Sequence, residues 1–391
     1  MLMVEDILVD VLTAVLLFFL NPLFLGALLV AVLIGYFRVK QERRSFRVRL
    51  LPGVTELKRL LSESWLFALV LSILISGAGL LVDVGWLVLF CVISFIALIS
   101  FYYKIASPIY FAAAAYLGIY LMDRFAGGFV YFGWTPSDVD VFGDLAVTVA
   151  IIAGLLLITE GLLIRKYADR DPSPIMKVTN RGLRAAVFKG KRLWLLPVLF
   201  LVPGDMISAF LPYWPQFTFG EQAFTFVPVP LIIGFSQVLR STYPELLFPK
   251  IGRGVAYIGL VVLVIGVASI WMPLLGVVAL LVGVVGRAVF TILMSVKERS
   301  AGYVAAPRSL GVVIAGVLPD SPGEKMGLIA GECIRSVNGQ KVKNEKELYD
   351  AIQINAAHCR LQVLGRDGEV RLTQQVIYRH DHHRLGILVV G

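Results

Sequence analysis

The sequence predicts an α-helical multi-pass membrane domain of about eight to nine transmembrane helices, followed by a small α+β domain. Three observations carry that expectation. Of 391 residues, 58% are hydrophobic and only 16% charged, with a mean hydropathy of +0.81, against roughly 25% charged in an ordinary soluble chain. The apolar residues gather in runs near the ~20 residues that cross a bilayer. From Gly311 the pattern changes to short β-branched runs broken by Asn338-Gly339 and Asp367-Gly368, the chemistry of strands and hairpin turns. The division is expected between residues 1–297, in the membrane, and residues 298–391, outside it.

The first apolar run, about Val11–Phe37, is interrupted by Asn21-Pro22, where proline kinks a helix or separates an interfacial piece from a short span. After it come Arg38, Lys40, Arg43, Arg44, Arg47, Arg49, Lys58 and Arg59, the strongest cytoplasmic signal in the chain. Further spans read as Trp65–Val82, Val84–Tyr103 and Ile105–Met122. The next loop sets Asp123, Asp138, Asp140 and Asp144 against Arg124 alone and is expected outside. Leu145–Ile164 returns to a basic loop, Leu193–Leu211 leads out, and Val227–Leu239 leads back. Val255–Ile270 and Leu274–Met294 form a closing hairpin. The total is nine crossings, or eight if the first run lies in the interface, with the tail cytoplasmic. The formal charge of +9 collects in these short loops, where it sets orientation. The tail has no basic stripe, so nucleic acid is not an expected partner. The acidic start, MLMVEDILVD, lacks the basic region of a cleavable signal peptide, and none is expected.

Ionisable side chains inside spans are functional candidates. Glu160, Asp205 and Arg287 are the three that stand out. One reading makes them a transport relay. The favoured one is an ion pair or headgroup contact that fixes helix packing, because no matched pair of broken spans marks a pathway.

In the tail, Gly311–Leu318 reads as a strand. Ser321-Pro322-Gly323-Glu324 is a capping box with proline at the first helical position, and the short helix ends at Gly327. Ile334–Val337 runs into the Asn338-Gly339 hairpin. Asn344 caps a second helix that turns Leu348 and Ile352 inward. Arg360–Leu364 and Glu369–Ile377 form a hairpin, and Gly386–Val390 is the last strand. This order, with the stretch GVVIAGVLPDSPGEKMGLIAGECIRSVNGQKV, resembles a PDZ domain of the bacterial, circularly permuted type. The resemblance implies binding by β-augmentation, in which an extended peptide joins an open sheet edge. Two stretches could receive a terminal carboxylate, one around Leu310, Gly311 and Val312, the other around Leu385, Gly386 and Ile387 beside Arg384. The second lies closer to the family pattern. Tyr349 and Gln353 are expected to line the groove from the second helix.

Catalysis is not expected. The four histidines, His358, His380, His382 and His383, all lie in the tail, so the membrane body can form neither an HExxH zinc site nor a serine–histidine dyad. Gly204-Asp205 lacks the preceding glycine of an intramembrane aspartyl motif. Asp381-His382-His383 is read as a solvated turn, since three adjacent strand residues cannot face one ion. Cys91, Cys333 and Cys359 match no metal spacing and read as small buried hydrophobes. No metal and no cofactor are expected.

The chain as a whole resembles the MinJ family of polytopic division-site proteins of Gram-positive rods. FFLNPLF, YFRVKQER, the long PDZ core, LYDAIQINAAHCRLQV and DHHRLGI carry the resemblance. It implies a scaffold in the cell membrane, at septum and poles, that joins the curvature-sensing protein DivIVA to the MinC/MinD division inhibitor. Self-association stays open. The alternatives are a transporter or sensor with a regulatory PDZ tail, and an adaptor of a separate membrane protease.

Overall fold

The computed structural model describes residues 12–130, 134–179, 182–204, 216–219, 222–354, 358–376 and 385–390. Residues 12–20 are helical. Asn21 then restarts the chain: its side chain accepts from Leu23 N at 2.9 Å, and Pro22 takes the first position of α1, Pro22–Phe46. The body continues with α2 (Thr55–Ser62), α3 (Trp65–Gly77), α4 (Val84–Ile99), α5 (Pro108–Ala126) and α6 (Asp144–Tyr167). Strands β1 (Ser173–Val178), β2 (Arg184–Pro203), β3 (Phe217–Phe219) and β4 (Gln222–Leu239) follow, then α7 (Pro244–Ala268) and α8 (Leu274–Ser300). Helix α1, the joined α2–α3 stretch, α6, α7 and α8 are long and apolar enough to cross a membrane, and α4 is a shorter apolar helix. Along α8, Val278, Leu281, Val285, Val289, Ile292 and Val296 are all exposed. An uninterrupted apolar stripe of this kind is stable only against lipid or another apolar partner.

Two of the expected helical spans are strands. Leu193–Pro203, from the expected span Leu193–Leu211, and all of Val227–Leu239 belong to β2 and β4, which pair antiparallel in unbroken register from Phe188↔Leu239 to Pro203↔Phe224. The four-stranded sheet runs β1-β2-β4-β3. Its two central strands run antiparallel along their whole paired length. One face of the ribbon is buried, with Trp194, Leu196, Val198 and Phe200 from β2 and Leu231 and Ile233 from β4 at most 1% exposed; the other is covered around Ile232 and open at Leu199 and Phe226, which are apolar too. A strand apolar on both faces loses the alternating pattern and reads as a continuous apolar run.

Open strand edges cannot face lipid, and here protein groups close them. Ser72 Oγ accepts from Leu199 N at 2.9 Å, Ser64 Oγ donates to Leu195 O, Val82 N donates to Leu201 O at 2.9 Å, and Gly234 N donates to Ala106 O at 2.8 Å. Pro197 pairs with Pro230, Pro203 with Phe224 and Pro228 with Leu199. All four prolines therefore share the outward-facing class of Leu199, where a missing N–H costs no ladder bond.

Helices α6 and α7 pack backbone to backbone along glycines. A Cβ on Gly161 would lie 2.5 Å from Ala256 N and 2.6 Å from Gly252 O, and one on Gly259 would lie 2.6 Å from Ile158 N. The α7 glycines Gly252, Gly259 and Gly266 repeat every seven residues, and Gly154 and Gly161 answer them from α6. Small residues at this spacing let membrane helices approach closely.

The tail forms β5 (Val312–Val317), α9 (Pro322–Lys325), β6 (Cys333–Val337), β7 (Gln340–Lys341), α10 (Glu345–Ile354), β8 (His358–Leu364), β9 (Val370–Val376) and β10 (Ile387–Val390). Its sheet runs β10-β5-β6-β8-β9, with β7 on β6. The local signals act as expected. Ser321 Oγ accepts from Glu324 N at 3.3 Å, and Glu324 reaches back to Asp320 N at 2.7 Å. Asn344 accepts from Glu347 N at 2.9 Å. Asn338 and Gly339 both have positive φ, at 50° and 87°, as a tight hairpin turn requires.

Candidate functional site: a PDZ-like groove on a fixed mount

The groove expected from the sequence would lie between β10 and α10. Among the described residues, strand β10 is an end strand of the sheet and pairs with β5 alone. Ile387 and Val389 share one small core with Leu348 and Ile352 of α10, and Tyr349 packs against that core. Of the sequence-predicted residues, Leu385 and Ile387 are buried here, Tyr349 is half-buried and Gln353 is exposed. Gly386 has φ +69°, and a Cβ there would strike Ser321, so only glycine fits this turn. Its carbonyl accepts from Leu318 N at 2.7 Å, and that of Leu385 accepts from Gly323 N at 2.8 Å. The other loop, Leu310-Gly311-Val312, stands at the start of β5, where Gly311 backs onto the Ile334 carbonyl and Leu310 is exposed. Arg384, Asp381, His382 and His383 lie outside the described residues. No residue of β10 is more than 6% exposed, so the strand is covered in this conformation.

The opposite face of the same strands is fastened to the body. Val313, Ala315, Cys333, Leu388 and Val390 belong to the core of the membrane body rather than to the small core. The linker after α8 adds to the body sheet, with Ala186 N donating to Ala305 O at 2.9 Å and Val304 N donating to Arg240 O at 2.8 Å. Arg366 donates to Ala330 O at 2.7 Å, pairs with Glu245, and lies 3.6 Å from the centre of the Tyr243 ring. Glu298 completes the mount. It accepts from Arg240 N and Thr242 Oγ1 at 2.9 Å, from Ser241 N at 3.0 Å and from Ser241 Oγ at 2.9 Å. Burial alone would raise its pKa, but these hydrogen bonds outweigh burial and hold it below the usual carboxylate range.

Sequence reasoning missed this mount, since Glu298, Tyr243 and Arg366 match no motif. Replacing Glu298 by alanine strands four donors and costs about 2 kcal/mol. Because cleavage of a transiently opened segment tracks the opening equilibrium, limited proteolysis between Ser300 and Arg308 is expected to speed up about thirtyfold. A carboxylate with a lowered folded pKa stabilises above its unfolded value and loses that contribution as pH falls through the folded value. The wild-type linker should therefore become protease-sensitive as pH falls below the usual carboxylate range, and the alanine variant should show no such step.

Of the three ionisable residues singled out within the spans, two come together. Arg287 of α8 donates to Glu160 Oε1 of α6 from Nη2 at 2.7 Å and from Nε at 3.1 Å. Ser107, just before α5, donates to the second carboxylate oxygen, and Thr291 accepts from Arg287 Nη1. Glu160 is fully buried and Arg287 is 5% exposed. Both carboxylate oxygens are occupied, and the cluster ties α5, α6 and α8. Asp205 lies outside the described residues. Cys91, Cys333 and Cys359 are free thiols, and burial pushes Cys359 up to about 12.

A PDZ domain model matches residues 313–364. The chain is 33% identical over 380 residues to the cell division topological determinant MinJ of Bacillus subtilis, covering 96% of this chain and 93% of that protein. It is 29% identical over 249 residues to the probable MinJ of Lacticaseibacillus paracasei, covering 62% of this chain and 66% of the relative. A probable periplasmic serine endoprotease DegP-like of a Marinomonas strain is 32% identical over 121 residues, covering 27% of this chain and 26% of the relative.

Proposed function

Because this chain belongs to the MinJ family of cell division topological determinants, we propose that it is a membrane scaffold that helps to position division by linking DivIVA to the MinC/MinD inhibitor. The near full-length match to the Bacillus subtilis determinant carries this reading. Residues 1–297 act as the membrane unit, and residues 298–391 act on the cytoplasmic face as the binding unit, at septum and poles. It is a binding protein and not an enzyme. A partner strand adds to β10, with Leu385, Gly386 and Ile387 receiving its end and Tyr349 and Gln353 contacting its side chains; Leu310, Gly311 and Val312 are the second possible entrance. Backbone pairing supplies affinity and the α10 side chains supply selectivity. The mount supports this role physically. A groove held at one height and angle above a membrane presents the same face to every partner, and tethering raises the effective concentration of a weak one.

Gly386→Asp is a poor probe, because the clash with Ser321 damages the fold itself. The test is Tyr349→Ala with Gln353→Glu in the full chain, with fluorescent DivIVA and MinD imaged in dividing cells. Loss of two groove contacts is expected to weaken a partner by about 2 kcal/mol, roughly thirtyfold, and to disperse MinD at normal protein levels. Unchanged MinD placement would remove the groove from the link.

A further inference from the structure

A small open cleft of about 60 Å³ lies between α1 and β2, beside the start of β1. Strand β1 begins at Ser173, opposite Lys189, so the edge of β2 from Gly190 to Arg192 has no strand beyond it on that side. Arg38, Lys189, Lys191 and Arg192 line the opening against a single acid, Asp171. Its membrane-side wall is Ile34 and Phe37, the last turn of α1 before the charges begin at Arg38. Tyr36, Phe37 and Tyr102 are exposed at this level, as aromatic residues are where a bilayer meets water.

The arginines and the lysines differ in what holds them. Arg38 pairs with Glu42 at 3.1 Å and Glu56 at 3.2 Å, Arg192 approaches Glu56 at 3.6 Å, and Asp171 pairs with Arg59. Even so, Arg38 Nε and Arg192 Nη1 are buried with no directed hydrogen bond, and Arg192 is only 4% exposed. Lys189 and Lys191 are half-buried on one face of β2. Among the described residues neither forms an ion pair with a carboxylate. The Lys191 ammonium rests 4.5 Å from the Tyr103 ring centre and 5.6 Å from that of Phe101. Burial lowers both lysine pKa values, helped by Lys177 acting on Lys189 and by Lys189 acting on Lys191, which falls to about 8. Two adjacent, desolvated cations without an acid are costly as they stand, and an anion entering between them removes that cost.

We propose that this cavity binds a phosphate group, held by Lys189 and Lys191 with Arg38 and Arg192 behind them. The same chemistry is offered by the headgroup of an anionic phospholipid and by free phosphate. The apolar wall and the aromatic level favour the headgroup, whose acyl chains would descend along Ile34 and Phe37.

The full-length protein, purified in a neutral detergent, is titrated with phosphatidylglycerol and with phosphatidylcholine and read by native mass spectrometry. Thermal unfolding in millimolar inorganic phosphate is read alongside. Lys189→Met/Lys191→Met keeps the apolar stems and removes the charge, and Lys40→Met/Lys58→Met removes equal charge from exposed positions. At about 1 kcal/mol per cation near a lipid headgroup, the cavity variant should retain phosphatidylglycerol about thirtyfold more weakly, and the control should change far less. Should the double variant not fold, each single methionine variant should show about a fivefold loss. A phosphatidylglycerol preference lost only in the cavity variant identifies the lipid source. Stabilisation by inorganic phosphate without lipid preference, lost in the same variant, identifies a soluble one. Equal weakening by cavity and control variants, or no dependence on any anion, overturns the site.

Discussion

Replacing Gly161 by valine is expected to prevent the membrane body from folding. Its Cβ alone would sit 2.5 Å from Ala256 N and 2.6 Å from Gly252 O, both backbone atoms of α7 that no rotamer change can move. The helices must separate, and separation at one glycine opens the seam at Gly154, Gly252, Gly259 and Gly266 together. Overpacking of an adaptable core costs about 1–3 kcal/mol. A rigid backbone seam in the most buried of the candidate spans exceeds that range, at more than about 4 kcal/mol. Gly286→Ala is the matched control, since its Cβ would meet only Ile258 Cγ2 at 3.4 Å. The measurement is the fraction of detergent-extracted protein that elutes as a single folded species. The control should keep wild-type behaviour while Gly161→Val aggregates. Equal recovery of both would show that the seam does not hold the body together.

The second large effect is expected at Glu160. Removing the carboxylate in Glu160→Leu leaves Arg287 buried and charged with no acid beside it, at a cost of about 3–5 kcal/mol. Removing both charges, in Glu160→Leu/Arg287→Met, replaces a desolvated pair by apolar volume and should recover most of that loss. A thermal-unfolding double-mutant cycle reads the coupling directly. Recovery of stability with division undisturbed is the outcome expected of a helix clamp. Recovery of stability with division abolished would give the pair a functional role and revive the transport reading.

The two halves of the chain differ in how far their structure is legible from sequence, for physical reasons. In the tail, the signals are local. Ser321 caps a helix three residues away, Asn338-Gly339 sets its own hairpin, and Leu348 and Ile352 share a helix face, so element order follows from neighbours in sequence. In the body, hydrophobicity marks which segments are buried or lipid-facing, but not whether they are helical. Leu193–Pro203 and Val227–Leu239 are apolar on both faces although one face is open at Leu199, so polarity does not alternate and the strand period is erased. The surviving clue was the spacing of Pro197, Pro203, Pro228 and Pro230, tolerable on the free edges of a two-stranded ribbon and disruptive inside helices. The Glu160–Arg287 contact joins residues 127 apart, and the mount at Glu298 joins groups 56–58 apart. Neither has a sequence pattern, because each depends on how the helices pack. Lys189 and Lys191 read from sequence only as two charges in a basic loop, because their lack of an acid depends on the packing that gives Glu42, Glu56 and Asp171 to arginines.

The proposed link between division proteins is tested most directly by co-purification from membranes. The full chain and a chain ended after Ser300, which keeps the Glu298 contacts, are compared with bound proteins identified by mass. The scaffold reading predicts that DivIVA or MinD accompanies the full chain and that at least one is lost on removing the PDZ domain. Absence of both from abundant, folded full-length protein would contradict it.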